Sequence, residues 1–186
     1  MTWIARLLGP YRAPAYEAPH YLRKLEQIAL KKMLADADAD MGEVGGNNRG
    51  PHVRAVTLGH EGAMWCAAQV ADCYARAAAE LGVTPPIPVD WDGRRGARRL
   101  LRNVAAAGAW LDEPHPGCVF ALRRPGEAWS GHAGVVVEVL GGGVSRTAEA
   151  NVGRFPARVR VMMRDFSRER RVFRCSSFFA TVAPVG

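Results

Sequence analysis

The sequence predicts an α+β fold, with helices in the first part of the chain packed on an antiparallel β-sheet built from the second. Two observations carry this. Up to about residue 107, apolar residues recur at helical spacing in alanine-, leucine- and arginine-rich segments; after Pro114 the period changes to that of strands, with β-branched and aromatic runs separated by turn signals. The helical segments precede the strands and do not alternate with them, which is α+β order. The 186 residues, 48% hydrophobic and 23% charged, suffice for one domain of ordinary size with a real core. That composition excludes disorder as the main state, and collagen-like or coiled-coil rods.

Residues 1–19 contain Pro10, Pro14 and Pro19 among aromatics and read as an irregular arm. From Tyr21 to about Ala35, Leu22, Leu25, Ile28, Ala29 and Met33 fall on one helical face with Lys and Glu opposite. We divide the chain here, into an arm and helix over 1–40 and a main domain over 41–186. Asp36, Asp38 and Asp40 match positions 1, 3 and 5 of an EF-hand loop. Met41 stands where glycine is needed and Asn47 where the closing glutamate is needed, so the reading is an acidic helix end and a solvated loop. A glycine- and asparagine-rich loop, Gly42 to Gly50, comes next.

Residues 64–81 are strongly helical, with Gly82 as the stop. A proline-rich loop over 83–92 leads to a second expected helix over 94–107. Arg94, Arg95, Arg98, Arg99 and Arg102 lie on it, several on one face: a solvated face on the plain reading, an anion-binding face on the sharper one. Expected strands are Cys118–Leu122, Ala133–Leu140, Val144–Ala148, Arg158–Met163, Arg171–Cys175 and Phe178–Val182. Gly141-Gly142-Gly143 is the expected hairpin turn between the second and third.

Lys plus Arg outnumber Asp plus Glu 25 to 18, a net charge of +7. Such a balance attracts an anionic partner at long range without specifying it: nucleic acid, anionic lipid or bacterial wall polymer. No helix-turn-helix, zinc-finger or RNP-like motif supports nucleic-acid binding. No apolar run reaches the roughly 18 residues of a membrane helix, and the apolar N-terminal stretch is too short for a secretory signal. Membrane insertion is therefore not expected, and action outside the cytoplasm requires release or delivery by another component.

The four cysteines show no CxxC pair and no zinc spacing with histidine. Cys66 stands at the start of the 64–81 helix, directly after Trp65. Unpaired N–H groups and the positive dipole end favour its thiolate and can bind an oxyanion. Cys73, two turns deeper, reads as a small apolar residue, and Cys118 and Cys175 as core of strands. A thiolate nucleophile needs a proton acceptor. Of the five histidines, His132 stands at the edge of a buried strand, whereas His20 is in the arm, His52 and His60 are in loops, and His115 lies between prolines. Glu149 and Asn151, at i and i+2 on one face of the next strand, would return beside His132 through the triple-glycine hairpin.

The ordered set Gly45-Gly46-Asn47-Asn48-Arg49-Gly50-Pro51, Trp65-Cys66-Ala67-Ala68, Pro116-Gly117, Gly131-His132-Ala133-Gly134-Val135-Val136 and Glu149-Ala150-Asn151 resembles the CHAP domain, over about residues 40–155. CHAP domains are cysteine, histidine-dependent amidohydrolases and peptidases of papain-like fold, most of which cleave peptidoglycan. The resemblance implies Cys66 as nucleophile, His132 as general base, and Glu149 with Asn151 orienting the histidine. It implies substrate contacts from Trp65, Asn47 and Gln69, a structural or substrate-contact role for Glu43, and no metal or other cofactor. Cys118 replaces the family's usual aspartate after Pro-Gly, and Gln69 replaces a common aromatic. The Arg-rich stretch from Arg154 to Arg174 has no counterpart.

The expected function is hydrolysis of an amide bond in the peptide part of peptidoglycan, as an N-acetylmuramoyl-L-alanine amidase or an endopeptidase. The protein would be a phage lysin or a delivered toxin, acting at the cell wall or periplasm, with delivery machinery or an immunity protein as possible partners. The rival readings are the NlpC-like sister group, whose cysteine follows Asp where Trp65 stands here; an amidase on a small cytoplasmic peptide conjugate; and a non-catalytic wall-binding or phage structural module.

Overall fold

A computed structural model describes residues 20–97, 99–100, 113–123, 131–167 and 172–176. Among the described residues, four helices precede five strands: α1 (His20–Asp38), α2 (Pro51–Val56), α3 (Cys66–Leu81), α4 (Trp91–Arg94), β1 (Val119–Arg123), β2 (Gly131–Gly141), β3 (Val144–Val152), β4 (Arg158–Asp165) and β5 (Val172–Ser176). The strands form one antiparallel sheet in the order β4-β3-β2-β1-β5. The α+β order read from the sequence is the observed one. No helix among the described residues is long and apolar enough to cross a membrane.

The helices form where the apolar stripe demands it. Leu25, Ala29 and Met33 of α1 lie in one core with Val70, Cys73, Tyr74 and Ala77 of α3 and with Val119, Ala121, Ala133, Val135, Ala148, Ala150 and Val159 of the sheet. Helix α1 thus shares one core with α3 and the sheet, and the division expected near residue 40 does not separate two cores. The alanine-rich stretch of α3 brings its backbone close to its neighbours, and Gly82 ends it in the left-handed conformation (φ 67°) that a side chain would disfavour. On the opposite face of the sheet, Cys118, Phe120, Leu122 and Val136 form a second cluster against Phe166.

Several expectations change. A short helix, α2, occupies Pro51–Val56, so His52 is helical and not in a loop. Its Pro sits at the first position, where no N–H is needed, but six residues with two valines give too little periodicity to announce a helix. Arg94 does not belong to a solvated basic face. It is 5% exposed and donates to the Val56 and Val89 carbonyls and to Asp72. Arg95 and Arg99 both pair with Asp92. Arg98, Arg102 and the rest of the helix expected to 107 lie outside the described residues, as does the strand expected over 178–182.

Asp36 is not a solvated helix end either. It is buried and accepts hydrogen bonds from Arg76 and from Gln69 Nε2, while Asp40 pairs with Arg158 and Arg160. Among the described residues, no group of three or more His, Cys, Asp or Glu side chains is arranged to hold a metal ion.

Candidate active site

The N-terminus of α3 meets the beginning of β2. Cys66 is the first residue of α3, and the groups that act on its sulfur are the His132 side chain and the backbone N–H groups of Ala133 and Ala67. His132 Nε2 lies 2.7 Å from Glu149 Oε2, which leaves Nδ1 as the ring nitrogen not engaged by Glu149, and Cys66 acts on the same imidazole. Cys66 (α3), His132 (β2) and Glu149 (β3) therefore form one chain of contacts. Cys66 is 3% exposed and the His132 side chain 14%. The segment that leads into β2, residues 124–130, lies outside the described residues.

The electrostatics arise from this packing. Burial would raise the Cys66 thiol, but the hydrogen bond and charge of His132, with the two backbone N–H groups, outweigh it and hold the thiol below its ordinary value. Burial would likewise lower His132, yet its contacts with Cys66 and Glu149 push it up to about 9. Burial would raise Glu149, but Arg164, His132 and Thr147 hold it down at about 2. The three shifts share one cause: each charge is stabilised by the opposite charge beside it. All three shifts favour the charged forms, a thiolate, an imidazolium and a carboxylate side by side.

Glu149 is fully buried and its four acceptor directions are filled. Arg164 of β4 grips it with a fork, Nε to Oε1 at 2.7 Å and Nη2 to Oε2 at 2.5 Å, and Thr147 Oγ1 donates to Oε1 at 2.6 Å. Sequence reasoning did not single out Arg164. The signal that could have found it is the strand register, which places Ser145 opposite Arg164 and Thr147 opposite Met162 on the sheet face that carries Glu149.

Asn151 is brought close in sequence but not in function. A register shift between Glu149 and Val152 breaks the strand alternation, and Asn151 itself has a left-handed backbone (φ 59°). Its amide is directed to Asn48 Oδ1 at 3.3 Å and not to His132. Asn151 thus ties β3 to the Gly42–Gly50 loop, and the expected i, i+2 partnership with Glu149 is corrected.

Two of the three expected substrate contacts lie in the interior. Trp65 is fully buried, edge-on to His52, with its N–H 3.4 Å from Glu43 Oε1. Gln69 is also fully buried, donating to Asp36 and accepting from His52 Nε2 at 2.6 Å. A helix that buries nearly all of its first two turns leaves neither side chain for a ligand. Asn47 alone of the three is exposed, in the loop whose neighbouring residue Asn48 meets Asn151.

Glu43 has a structural role: buried, it accepts the N–H groups of Asn48 and Ala157 and so pins the loop to the sheet. Cys73 is enclosed beside Met33, Gln69 and Asp36, and burial pushes its thiol up to about 12. Cys118 is buried on the far face of the sheet, accepting the His115 N–H. Cys66, at a helix start beside His132, is thus a cysteine whose thiolate form its surroundings favour. No family model matches the chain, and comparison with curated proteins and with solved structures likewise returned no match.

Proposed function

We propose that this chain is a cysteine amidohydrolase of papain-like, CHAP-type architecture that cleaves an amide bond in the peptide part of peptidoglycan. The observation that carries the reaction class is the Cys66–His132–Glu149 chain of contacts, with sulfur at a helix N-terminus and imidazole on the sheet. The substrate class is drawn from the ordered motifs of the resemblance and from the net charge of +7, which favours adsorption to anionic wall polymers and should weaken with salt.

In the proposed course, the Cys66 thiolate attacks the amide carbonyl. The developing oxyanion is met by N–H groups of the first turn of α3, that of Cys66 included. The His132 imidazolium gives its proton to the leaving amine, and a thioester remains on Cys66. His132, now neutral, takes a proton from water as the water attacks the thioester, which releases the acid and restores the thiolate–imidazolium pair. Glu149 keeps the ring oriented and its charged form stable throughout. These steps need only side chains and backbone of this chain.

The test is digestion of purified peptidoglycan by the wild type and by Cys66→Ala, with mass spectrometry of the fragments. Free L-alanine amines with new muramic-acid ends identify an amidase; new ends within the stem or cross-bridge identify an endopeptidase. Equal solubilisation by both proteins would reject the cysteine mechanism. Binding to walls without release of fragments would favour a non-catalytic module.

A further inference from the structure

Glu149 is 0% exposed, and an isolated carboxylate in such a place takes up a proton instead of remaining charged. Four donors meet it from three strands: His132 on β2, Thr147 on its own strand, and two nitrogens of Arg164 on β4. Thr147 is neutral, and its hydroxyl also lies 3.4 Å from the Met162 carbonyl. Arg160, opposite Glu149 in the strand register, is turned to Asp40 at 2.7 Å. The permanent positive charge on Glu149 is thus that of Arg164, whose guanidinium is partly buried, and its planar fork matches both carboxylate oxygens at once.

The order of contacts gives this fork a consequence at the sulfur. Glu149 Oε2 is shared between Arg164 Nη2 and His132 Nε2, so the oxygen that the guanidinium holds is also the oxygen that meets the imidazole. We propose that Arg164 is a positioning residue for the reaction: its fork keeps the Glu149 carboxylate charged and aimed at His132, and through Glu149 sustains the Cys66–His132 ion pair. The inference rests on the cysteine–histidine reading of the site but not on which amide is cut.

The experiment needs no substrate. On the full chain, the rate of Cys66 alkylation by iodoacetamide is followed against pH by peptide-resolved mass spectrometry, and the His132 imidazole is titrated by ¹⁵N NMR. Wild type is compared with Arg164→Met, Arg164→Lys and Thr147→Val. With Arg164→Met, Glu149 takes up a proton more readily and no longer supports the imidazolium. The His132 midpoint then falls by about one pH unit or more, the Cys66 midpoint rises, and alkylation at the wild-type midpoint slows several-fold. Arg164→Lys, with the charge but no fork, recovers part of both shifts, and Thr147→Val gives a smaller shift of the same sign.

Midpoints left unchanged by Arg164→Met in a folded protein would reduce Arg164 to a structural ion pair. A His132 midpoint that rises would show that Arg164 opposes the imidazolium, and either result overturns the proposal. If Arg164→Met does not fold, Arg164→Lys and Thr147→Val decide by the same two midpoints. A wild-type Cys66 that titrates like an ordinary thiol would instead reject the underlying reading of the site.

Discussion

Glu149 and His132 are joined at 2.7 Å although they are not opposite one another in the sheet. The register partner of Glu149 is Gly134, and continuing that register would set Asn151 opposite His132. The left-handed backbone at Asn151 removes it from that place. Glu149 takes the diagonal across Gly134 instead, a reach open to a long side chain on an antiparallel pair.

This diagonal depends on the absence of a side chain at residue 134. A Cβ there would stand 2.9 Å from Glu149 Cγ and 2.8 Å from both the Ala148 carbonyl and the Phe120 ring. Gly134→Ala is therefore expected to displace the Glu149 carboxylate from His132. A loss of kcat/KM on the order of 10²-fold is expected, with a destabilisation of about 1–3 kcal/mol read by urea unfolding. Wild-type kcat/KM in the folded variant would show that the diagonal contact is dispensable.

The charges of the site set two pH limits. His132 titrates at about 9 when folded and near 6.5 when unfolded, so its contribution to stability is complete below 6.5 and is lost as pH rises through about 9. Glu149, at about 2 when folded against 4.5 unfolded, contributes fully above 4.5 and is lost as pH falls toward 2. Melting temperature should therefore decline on both sides of the interval 4.5–6.5, and Glu149→Gln should flatten the acid side. Activity should fall above about pH 9, where the imidazolium has no proton to give the leaving amine. A basic limb near 6.5 in the rate profile would contradict this.

The thiols should separate by reactivity. At pH 7 iodoacetamide is expected to modify Cys66 well before Cys73, because His132 holds the thiol of the first below its ordinary value and the second is buried with its thiol pushed up to about 12. Peptide mapping after brief exposure reads this directly. His132→Gln should slow both alkylation of Cys66 and turnover, the latter by about 10²–10⁴-fold. Equal labelling of the two cysteines would remove the basis for choosing Cys66.

Gln69 links Asp36 of α1 to His52 of α2 from inside α3. Gln69→Leu would leave the His52 N–H without its acceptor and Asp36 without one donor. The cost should be about 1–3 kcal/mol, lowering Tm on the order of 5 °C for a domain of this size, as calorimetry would show. An unchanged Tm would mean that the polar link adds nothing to the apolar packing around it.

The α+β order, the limits of α3, the triple-glycine hairpin and the Cys66–His132 pair were legible because each rests on local pattern. Periodicity names a helix or strand, a glycine names its end, and a cysteine at a helix start beside a histidine at a strand start is a chemistry-bearing combination wherever it occurs. Burial was legible for apolar residues and not for polar ones. Trp65, Gln69, Asp36 and Arg94 have residue types that suit a surface or a ligand, and only the packing of α1, α2 and α3 on one another encloses them.

By itself, then, the sequence determined which elements form and which sulfur and imidazole are candidates to react. Tertiary structure alone decided that Glu149 and not Asn151 holds the imidazole, and that Arg164 holds Glu149. The physical reason is that these choices turn on one bulge, one missing Cβ and the stagger of three adjacent strands. The bulge shifts the register by a single residue position, a distance that the two-residue period of a strand converts into the opposite face of the sheet, and the missing Cβ leaves Glu149 room to reach His132.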